Sequence, residues 1–463
     1  MKEKKIVWIG VFIIIQAVLT IILHSNFHTI FEAGLVEQSV WNTLKGEFFY
    51  SVSNGGNHFA NHNSPILFLF LPLYYLISNI LIFLITTQVF IAAGAIPIFL
   101  TAKKVLNRKA GYLFALSYLI FPSFFYTNIR TFHPIMLAVP FIGFMIYYFI
   151  RKDNKAILFA ILAMMTNETI SILIAFFGVY AIIKKRKIGL WLIIIGVIWF
   201  QFSTQIIIPN FGDYRFYGEL YGHLGSNIGE ILKTIITNPI ESFNHGYSSL
   251  KVLYLLKLVG HNFFTILFAP TLLIPTIPVI LQNIFSSSSY KYDFLAHYTY
   301  PLIPIIITGS ILGVKKLSKK VSLKLILSLI LISSLFSLTQ GLGQFTDDNC
   351  LVFKENCEHT QDIIGNSPRE NYPVIKKFIK EIPMTASVSA QNHVFNQISK
   401  RKETYLFERF NILDSDYIIL DTTHGFHESI LKDEKIIGYE VVKKEKDILL
   451  LKKDNHLFTQ SYP

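Results

Sequence analysis

The stretch from Arg151 to Lys187 reads RKDNKAILFAILAMMTNETISILIAFFGVYAIIKKRK. Two apolar runs are joined by Thr166-Asn167-Glu168. Basic residues close both ends: Arg151, Lys152 and Lys155 before, Lys184 to Lys187 after. Short cytoplasmic loops of membrane proteins collect Lys and Arg. With both ends on that side, residues 156–183 must cross the bilayer and return as two short helices. The turn at Glu168 then faces outward or sits in a polar cavity.

The same punctuation recurs along the chain. Lys103-Lys104 with Arg108-Lys109, and Lys315-Lys316 with Lys319-Lys320, each stand between long apolar runs. Met1 to Lys5 is basic and Ile6 to Leu23 is apolar. That run exceeds the roughly 7–15 residues of a signal-peptide core, and Leu23-His24-Ser25-Asn26 is no small-residue cleavage site. It reads as an uncleaved first helix with a cytoplasmic N-terminus. Threading from these anchors gives helices at 6–23, 80–102, 110–127, 134–150, the pair in 156–183, 188–208, 250–260, 262–284, 301–314 and 321–339. The sum is about eleven crossings. Residues 24–78 form a large first outer loop. Its apolar segment 65–77 is short for a span and reads as an interfacial or re-entrant helix.

Composition agrees. The chain has 463 residues, of which only 16% are charged and 41 are Phe. A disordered chain, a collagen-like fibre and a small disulfide scaffold are excluded. A soluble enzyme of this length would carry more surface charge, near a quarter of its residues. The net charge of +12 has two readings, a nucleic-acid surface or cytoplasmic loops. The location of the clusters favours the loops, so no nucleic-acid partner is expected; the partner is the lipid bilayer. No phosphate-binding glycine loop, Rossmann fingerprint or repeat occurs. Without a nucleotide fold, a substrate borne on a lipid suits the chain better than a soluble nucleotide-activated donor.

From about Gln340 the sequence turns polar. Residues 369–381 read as an amphipathic helix with Val374, Ile375, Phe378 and Ile379 on one face. Segments 384–390 and 417–420 read as strands, and 439–443 with 448–452 as a terminal hairpin. The expected architecture is mainly α: a transmembrane helical domain at 1–340 and a small soluble α/β domain at 341–463, the latter extracytoplasmic. Cys350 and Cys357 are the only cysteines. Their spacing in a non-cytosolic segment suggests a local disulfide, with two free thiols as the alternative.

Polar residues beside a membrane are the candidates for chemistry. Glu32, just after the first helix, suits a general base towards a hydroxyl acceptor or a ligand of a divalent cation, or else caps an interfacial helix. Glu168 interrupts an apolar stretch on the same side; the bland reading is a helix cap. His58 and His62 are spaced to share a helical face, but Asn-His-Phe-Ala-Asn-His-Asn-Ser-Pro is poor helix sequence, so hydrogen bonding in a polar pocket is the better reading. Arg130, His133, Arg215, His223, His297 and Tyr298 offer donors for a phosphate or pyrophosphate.

Phe31-Glu32-Ala33-Gly34, Gln38, Trp41, Gly46, His58, His62, Pro65, Pro72-Leu73-Tyr74, Gln88, Phe132-His133-Pro134, Asn167-Glu168 and His297-Tyr298 carry a resemblance that covers nearly the whole chain. In these the chain resembles the membrane proteins of unknown function numbered 2079 (DUF 2079), which are in turn similar to the GT-C class of integral-membrane glycosyltransferases. The resemblance implies a GT-C-like bundle and a sugar donor carried on a polyprenyl phosphate. It also implies inverting chemistry and an acidic residue in the first outer loop. Carried onto this chain, that acid is Glu32, as base or cation ligand, with Glu168 as a second carboxylate. Gln38, His58, His62, Arg130, His133, Arg215, His297 and Tyr298 would bind the substrate and its phosphate. The sequence departs from the pattern twice: the first-loop acid is Glu rather than Asp, and Asn167 stands where Lys is frequent. The competing readings are a transporter or flippase, which would show inverted repeats, and a non-catalytic membrane scaffold.

Overall fold

The computed structural model describes residues 7–212, 216–342, 369–407, 415–423, 436 and 438–454. Arg215, Cys350 and Cys357 lie outside the described residues. Among those described, five helices are long and apolar enough to cross a membrane: Val7–Ser25, Leu81–Val105, Pro134–Arg151, Ile188–Phe211 and Ser289–Leu317. Five shorter apolar helices accompany them: Pro65–Leu76, Lys155–Met164, Ile170–Ile183, Pro270–Ile284 and Leu323–Thr339. The first helix shows why a bilayer is needed. Phe12, Gln16 and Thr20 are buried, whereas Val7, Val11, Ile14, Val18 and Ile22 are exposed. An apolar face of that size is at home against lipid tails, and away from its ends the helix satisfies its backbone groups internally.

Arg151 to Lys187 folds as the helical pair its punctuation predicts, but the pair is short. Lys155–Met164 has 10 residues, about 15 Å at 1.5 Å per residue, half the hydrocarbon core. Glu168 therefore stays within the bundle, fully buried. The return helix crosses Ile188–Phe202 through glycines. A Cβ on Gly178 would sit 2.6 Å from the carbonyl oxygen of Gly189, and one on Gly189 would sit 2.5 Å from that of Gly178. Only small residues allow backbones this close.

Two expected spans are broken. Residues 110–127 divide into helices Arg108–Leu119 and Pro122–Tyr126, because the residue before a proline avoids the helical region. Residues 262–284 are not one helix but two 3-10 segments, Thr265–Phe268 and Pro270–Thr276, followed by Ile277–Ile284. Pro270, Pro275 and Pro278 each remove an N–H donor from what would have been a continuous ladder.

The C-terminal region forms a five-stranded sheet in the order β4-β3-β5-β7-β6. The strands are β3 Val388–Ala390, β4 Thr404–Leu406, β5 Tyr417–Asp421, β6 Tyr439–Glu445 and β7 Ile448–Lys453; β1 Tyr50–Ser51 and β2 Gly56–Asn57 form a separate small hairpin. β3 pairs in parallel with β4 and β5, and β7 pairs antiparallel with β5 and β6. Side chains alternate faces along each strand. Ile419, Ile448 and Leu450 pack under helix Tyr372–Glu381, while Ile418, Leu420, Leu449 and Leu451 form the opposite core.

This sheet domain is clasped to the first loop. Phe27, at the end of the first helix, adopts φ 61° and enters the domain's core beside Tyr372, ring centroids 5.1 Å apart. Helix Glu32–Thr43 then runs along the domain. Lys402 accepts at its carbonyl from the Gln38 side chain (3.3 Å) and from Asn42 (3.0 Å). Ser53 donates to the Thr404 carbonyl and accepts from the Leu406 N–H. Glu37, buried between them, accepts from Tyr74 (2.7 Å) and from Ser399.

Burial pushes the Glu37 carboxyl above its ordinary range, and the hydroxyls of Ser399 and Tyr74 oppose that shift. A raised native value means the native state holds the proton longer than the unfolded chain does. Glu37 therefore makes its full contribution below the ordinary carboxylate range, and loses it as pH rises through the raised value. Glu37→Gln should remove this slope from a plot of thermal midpoint against pH for the full-length protein. An unchanged slope would assign it to another group. Ser399→Ala should cost about 1–3 kcal/mol, the range for leaving a buried polar group unsatisfied.

Candidate active site

The site assembles where three loops meet. The first is the start of helix Glu32–Thr43. The second is the segment 127–133, which leads from helix Pro122–Tyr126 into Pro134–Leu137. The third is Ser289 to Leu302, two 3-10 turns that precede helix Ile303–Leu317. The Glu32 carboxylate accepts a hydrogen bond from Thr131 (3.0 Å) and stands 2.7 Å from His133 Nε2. The His133 ring stacks on His297, centroids 3.6 Å apart and planes 24° apart. Tyr298 and Tyr290 lie at 4.0 and 5.7 Å from the His297 ring. The Lys291 ammonium sits 3.6 Å above the Tyr298 ring. Side chains of Glu32 and His133 remain 14% and 22% exposed, so solvent reaches this edge of the cluster.

Beside it lies the carboxylate of Glu168. Asn57 accepts from the Phe59 N–H and caps a single helical turn, His58–Asn61. The chain then passes over Glu168. His62 Nδ1 stands 3.0 Å from one carboxylate oxygen, and the Asn63 N–H donates to the other at 3.0 Å. Asn63 also donates to Ser203, in the π-helical segment Ser203–Ile207 of the long helix. Glu168 is thus no helix cap. The N-cap of helix Ile170–Ile183 is Thr169, and Asn167 closes the turn before it by accepting from the Thr169 N–H and hydroxyl. Burial first, then the charges of His62 and His133, push the His58 imidazole down to about 3. It is therefore neutral at physiological pH. Lys291 is within the electrostatic reach of Glu168.

Glu32, His58, His62, His133, Glu168, His297 and Tyr298 thus converge. Arg130 belongs to the same loop as Thr131 and His133, and its guanidinium stands 4.7 Å from the centre of the Tyr126 ring. Gln38 does not join them: Ser51 donates to its side-chain oxygen at 2.6 Å, and its nitrogen meets Lys402. Sequence reasoning missed Lys291, Tyr290, Thr131 and Asn63. Lys291 lies in the first turns of the apolar segment Ser289–Leu317, a place where a cation is a candidate for function. Glu32, His133 and His297 also offer ligand atoms within 4.8 Å of one another. Two imidazoles and one carboxylate suit zinc or another first-row divalent ion better than magnesium, which prefers oxygen.

The architecture is of the GT-C type. The chain superposes on ArnT from Cupriavidus metallidurans in the apo state with a TM-score of 0.55, at 9% identity, covering 96% of this chain and 97% of that one. On the same protein bound to undecaprenyl phosphate the TM-score is 0.53, at 9% identity, with 98% and 99% covered. At that identity the likeness is one of fold. By sequence, residues 23–450 match the DUF2079 profile of predicted membrane proteins, and the chain belongs to that family. No curated relative matches it.

Glu168 supplies the most direct test of how the site is built. Removing the acceptor of buried hydrogen bonds leaves their donors unsatisfied, at about 1–3 kcal/mol each. Glu168→Ala should lower the thermal midpoint of the purified protein markedly, and Glu168→Gln, which keeps an acceptor for the Asn63 N–H, should lower it less. Equal midpoints for wild type and Glu168→Ala would mean that the carboxylate holds nothing in place.

Proposed function

We propose that the protein is an integral-membrane glycosyltransferase, which moves a sugar from a polyprenyl-phosphate carrier to an acceptor on the extracytoplasmic face. The observation that carries this reading is the convergence of Glu32 with His133 and His297 at an edge that solvent reaches, next to Lys291. The GT-C-type fold, matched over nearly the whole of a structure bound to undecaprenyl phosphate, supports the choice of carrier. The basic clusters support a cytoplasmic N-terminus and an outward-facing site. The sheet domain, residues 341–463 in this reading, lies on that outer side.

In the reaction, Glu32 takes the proton from the acceptor hydroxyl. The hydroxyl oxygen bonds to the anomeric carbon from the face opposite the phosphate. The bond from that carbon to the phosphate oxygen breaks, and its electron pair leaves with the lipid phosphate. The configuration at carbon is inverted. Lys291 and Arg130 neutralise the growing charge, and the imidazoles of His133 and His297 bind the phosphate. His58 is uncharged and donates or accepts hydrogen bonds. A divalent cation held by Glu32, His133 and His297 would supply a Lewis acid for the leaving phosphate.

The test is turnover of a polyprenyl-phosphate sugar by protein reconstituted in nanodiscs. Glu32→Gln should lower kcat by about 10²–10⁴-fold, the range for a general base, with lipid binding preserved. Lys291→Ala should instead weaken binding of the lipid phosphate. Wild-type turnover in Glu32→Gln would remove the assigned role, and a wild type that consumes no lipid-linked sugar would overturn the transferase reading.

A further inference from the structure

A helix leaves its first N–H groups without partners inside the helix. Helix Glu32–Thr43 has the wrong residue to deal with this itself: its N-cap is Phe31, which has no side-chain oxygen, and no side-chain cap is made from within the segment. The partners come instead from the sheet domain. Asn392 Oδ1 accepts from the Phe31 N–H at 3.1 Å, across 361 positions of sequence. Asn396 Oδ1 accepts from the Gly34 N–H at 2.8 Å. The amide nitrogen of the same Asn396 donates to the Ile30 carbonyl at 2.7 Å. Both asparagines belong to helix Asn392–Ile398, which follows β3 directly, and both are buried.

The two residues that Asn396 grips, Ile30 and Gly34, bracket Glu32. On the opposite side the Ile30 N–H donates to the Arg130 carbonyl at 2.8 Å, in the loop that also carries Thr131 and His133. The start of the helix is therefore stitched between the sheet domain and the loop that holds the partners of Glu32. The fit is close. A Cβ on Gly34 would lie 2.6 Å from Asn396 Oδ1 and 2.8 Å from the Phe395 ring. Phe31 and Phe395 meet edge to face beside it, 6.5 Å apart.

We infer that Asn392 and Asn396 are positioning residues: they cap the Glu32 helix from another domain and so fix the place of the Glu32 carboxylate against His133. The inference rests on the catalytic role proposed for Glu32, and its geometric half can be read without any turnover. Asparagine is suited to this use because one amide both accepts and donates. A general base that moves by about 1 Å loses about 10²-fold in rate, so a cap at its helix start acts on catalysis without touching substrate.

The experiment compares full-length wild type, Asn396→Ala, Asn392→Ala and Asn396→Asp in nanodiscs, by backbone hydrogen exchange and by turnover of a polyprenyl-phosphate sugar. Exchange over residues 30–36 should rise about tenfold or more in the alanine variants, as expected when a cap is lost, with exchange elsewhere in the sheet domain unchanged. Their kcat should fall by about 10- to 100-fold at nearly constant KM. Asn396→Asp keeps the oxygen that faces Gly34 but turns a second oxygen towards the Ile30 carbonyl in place of the donor, so it should recover only part of the protection and of kcat. Three outcomes overturn the inference: unchanged exchange over 30–36, raised exchange with wild-type kcat, or loss of protection throughout the sheet domain, which would mark a structural residue only. If wild type itself turns over no lipid-linked sugar, the transferase reading fails, and exchange over 30–36 alone decides whether the two asparagines hold the helix start.

Discussion

A carboxylate buried in an apolar bundle has to be satisfied where it stands, and Glu168 is satisfied by residues of a distant loop. His62 and the Asn63 N–H take its two oxygens. The Ile66 N–H donates to the Met165 carbonyl one turn before it. These contacts draw the returning limb of the first loop down to the break between two short helices. Once that limb is held, His58 and His62 lie beside His133 and His297, and the polar cluster has a floor. The short helical pair is what makes this geometry available. Two full-length spans would have carried the turn out to the membrane surface.

The other limb of the loop is held from above. Phe27 enters the core of the sheet domain, and helix Glu32–Thr43 lies along it with Glu37, Gln38 and Asn42 all in contact. The exposed ion pair between Lys402 and Glu47 adds little to this clasp; the buried hydrogen bonds and the contact between Phe31 and Phe395 do more. Glu32 stands at the junction of the two systems, its neighbours Ile30, Phe31 and Gly34 held by the sheet domain and its carboxylate beside Thr131 and His133. The sheet domain thereby fixes the backbone on either side of Glu32.

Much of this was legible in the sequence. Clusters such as Lys184 to Lys187 mark the ends of helices because charge is excluded from the hydrocarbon core. Glu168 stood out for the same reason. The strands of the sheet domain followed from short runs such as Tyr-Ile-Ile-Leu-Asp at 417–421, framed by polar residues. What failed to show depends on distant partners. The polar face of helix Glu32–Thr43 is indistinguishable in sequence whether it meets substrate or another domain, so Gln38 was grouped with the site although it binds Ser51 and Lys402. Asn392 and Asn396 read as ordinary loop or helix residues, since the N–H groups they cap lie more than 360 positions away. Lys291 follows four serines and resembles a membrane-surface loop until the fold sets it against Tyr298. Prolines 270, 275 and 278 were visible, yet the apolar run around them outweighed their effect on the helix.

The central claim is that the cluster of Glu32, His133, His297 and Lys291 receives the phosphate of a polyprenyl carrier. A cryo-electron microscopy structure of the full-length protein in nanodiscs with undecaprenyl phosphate tests it directly. The account predicts headgroup density within hydrogen-bonding distance of Lys291 and of the His133–His297 pair, with the lipid tail leaving between the helices into the bilayer. A headgroup bound elsewhere on the bundle, with this cluster filled only by water, would contradict it.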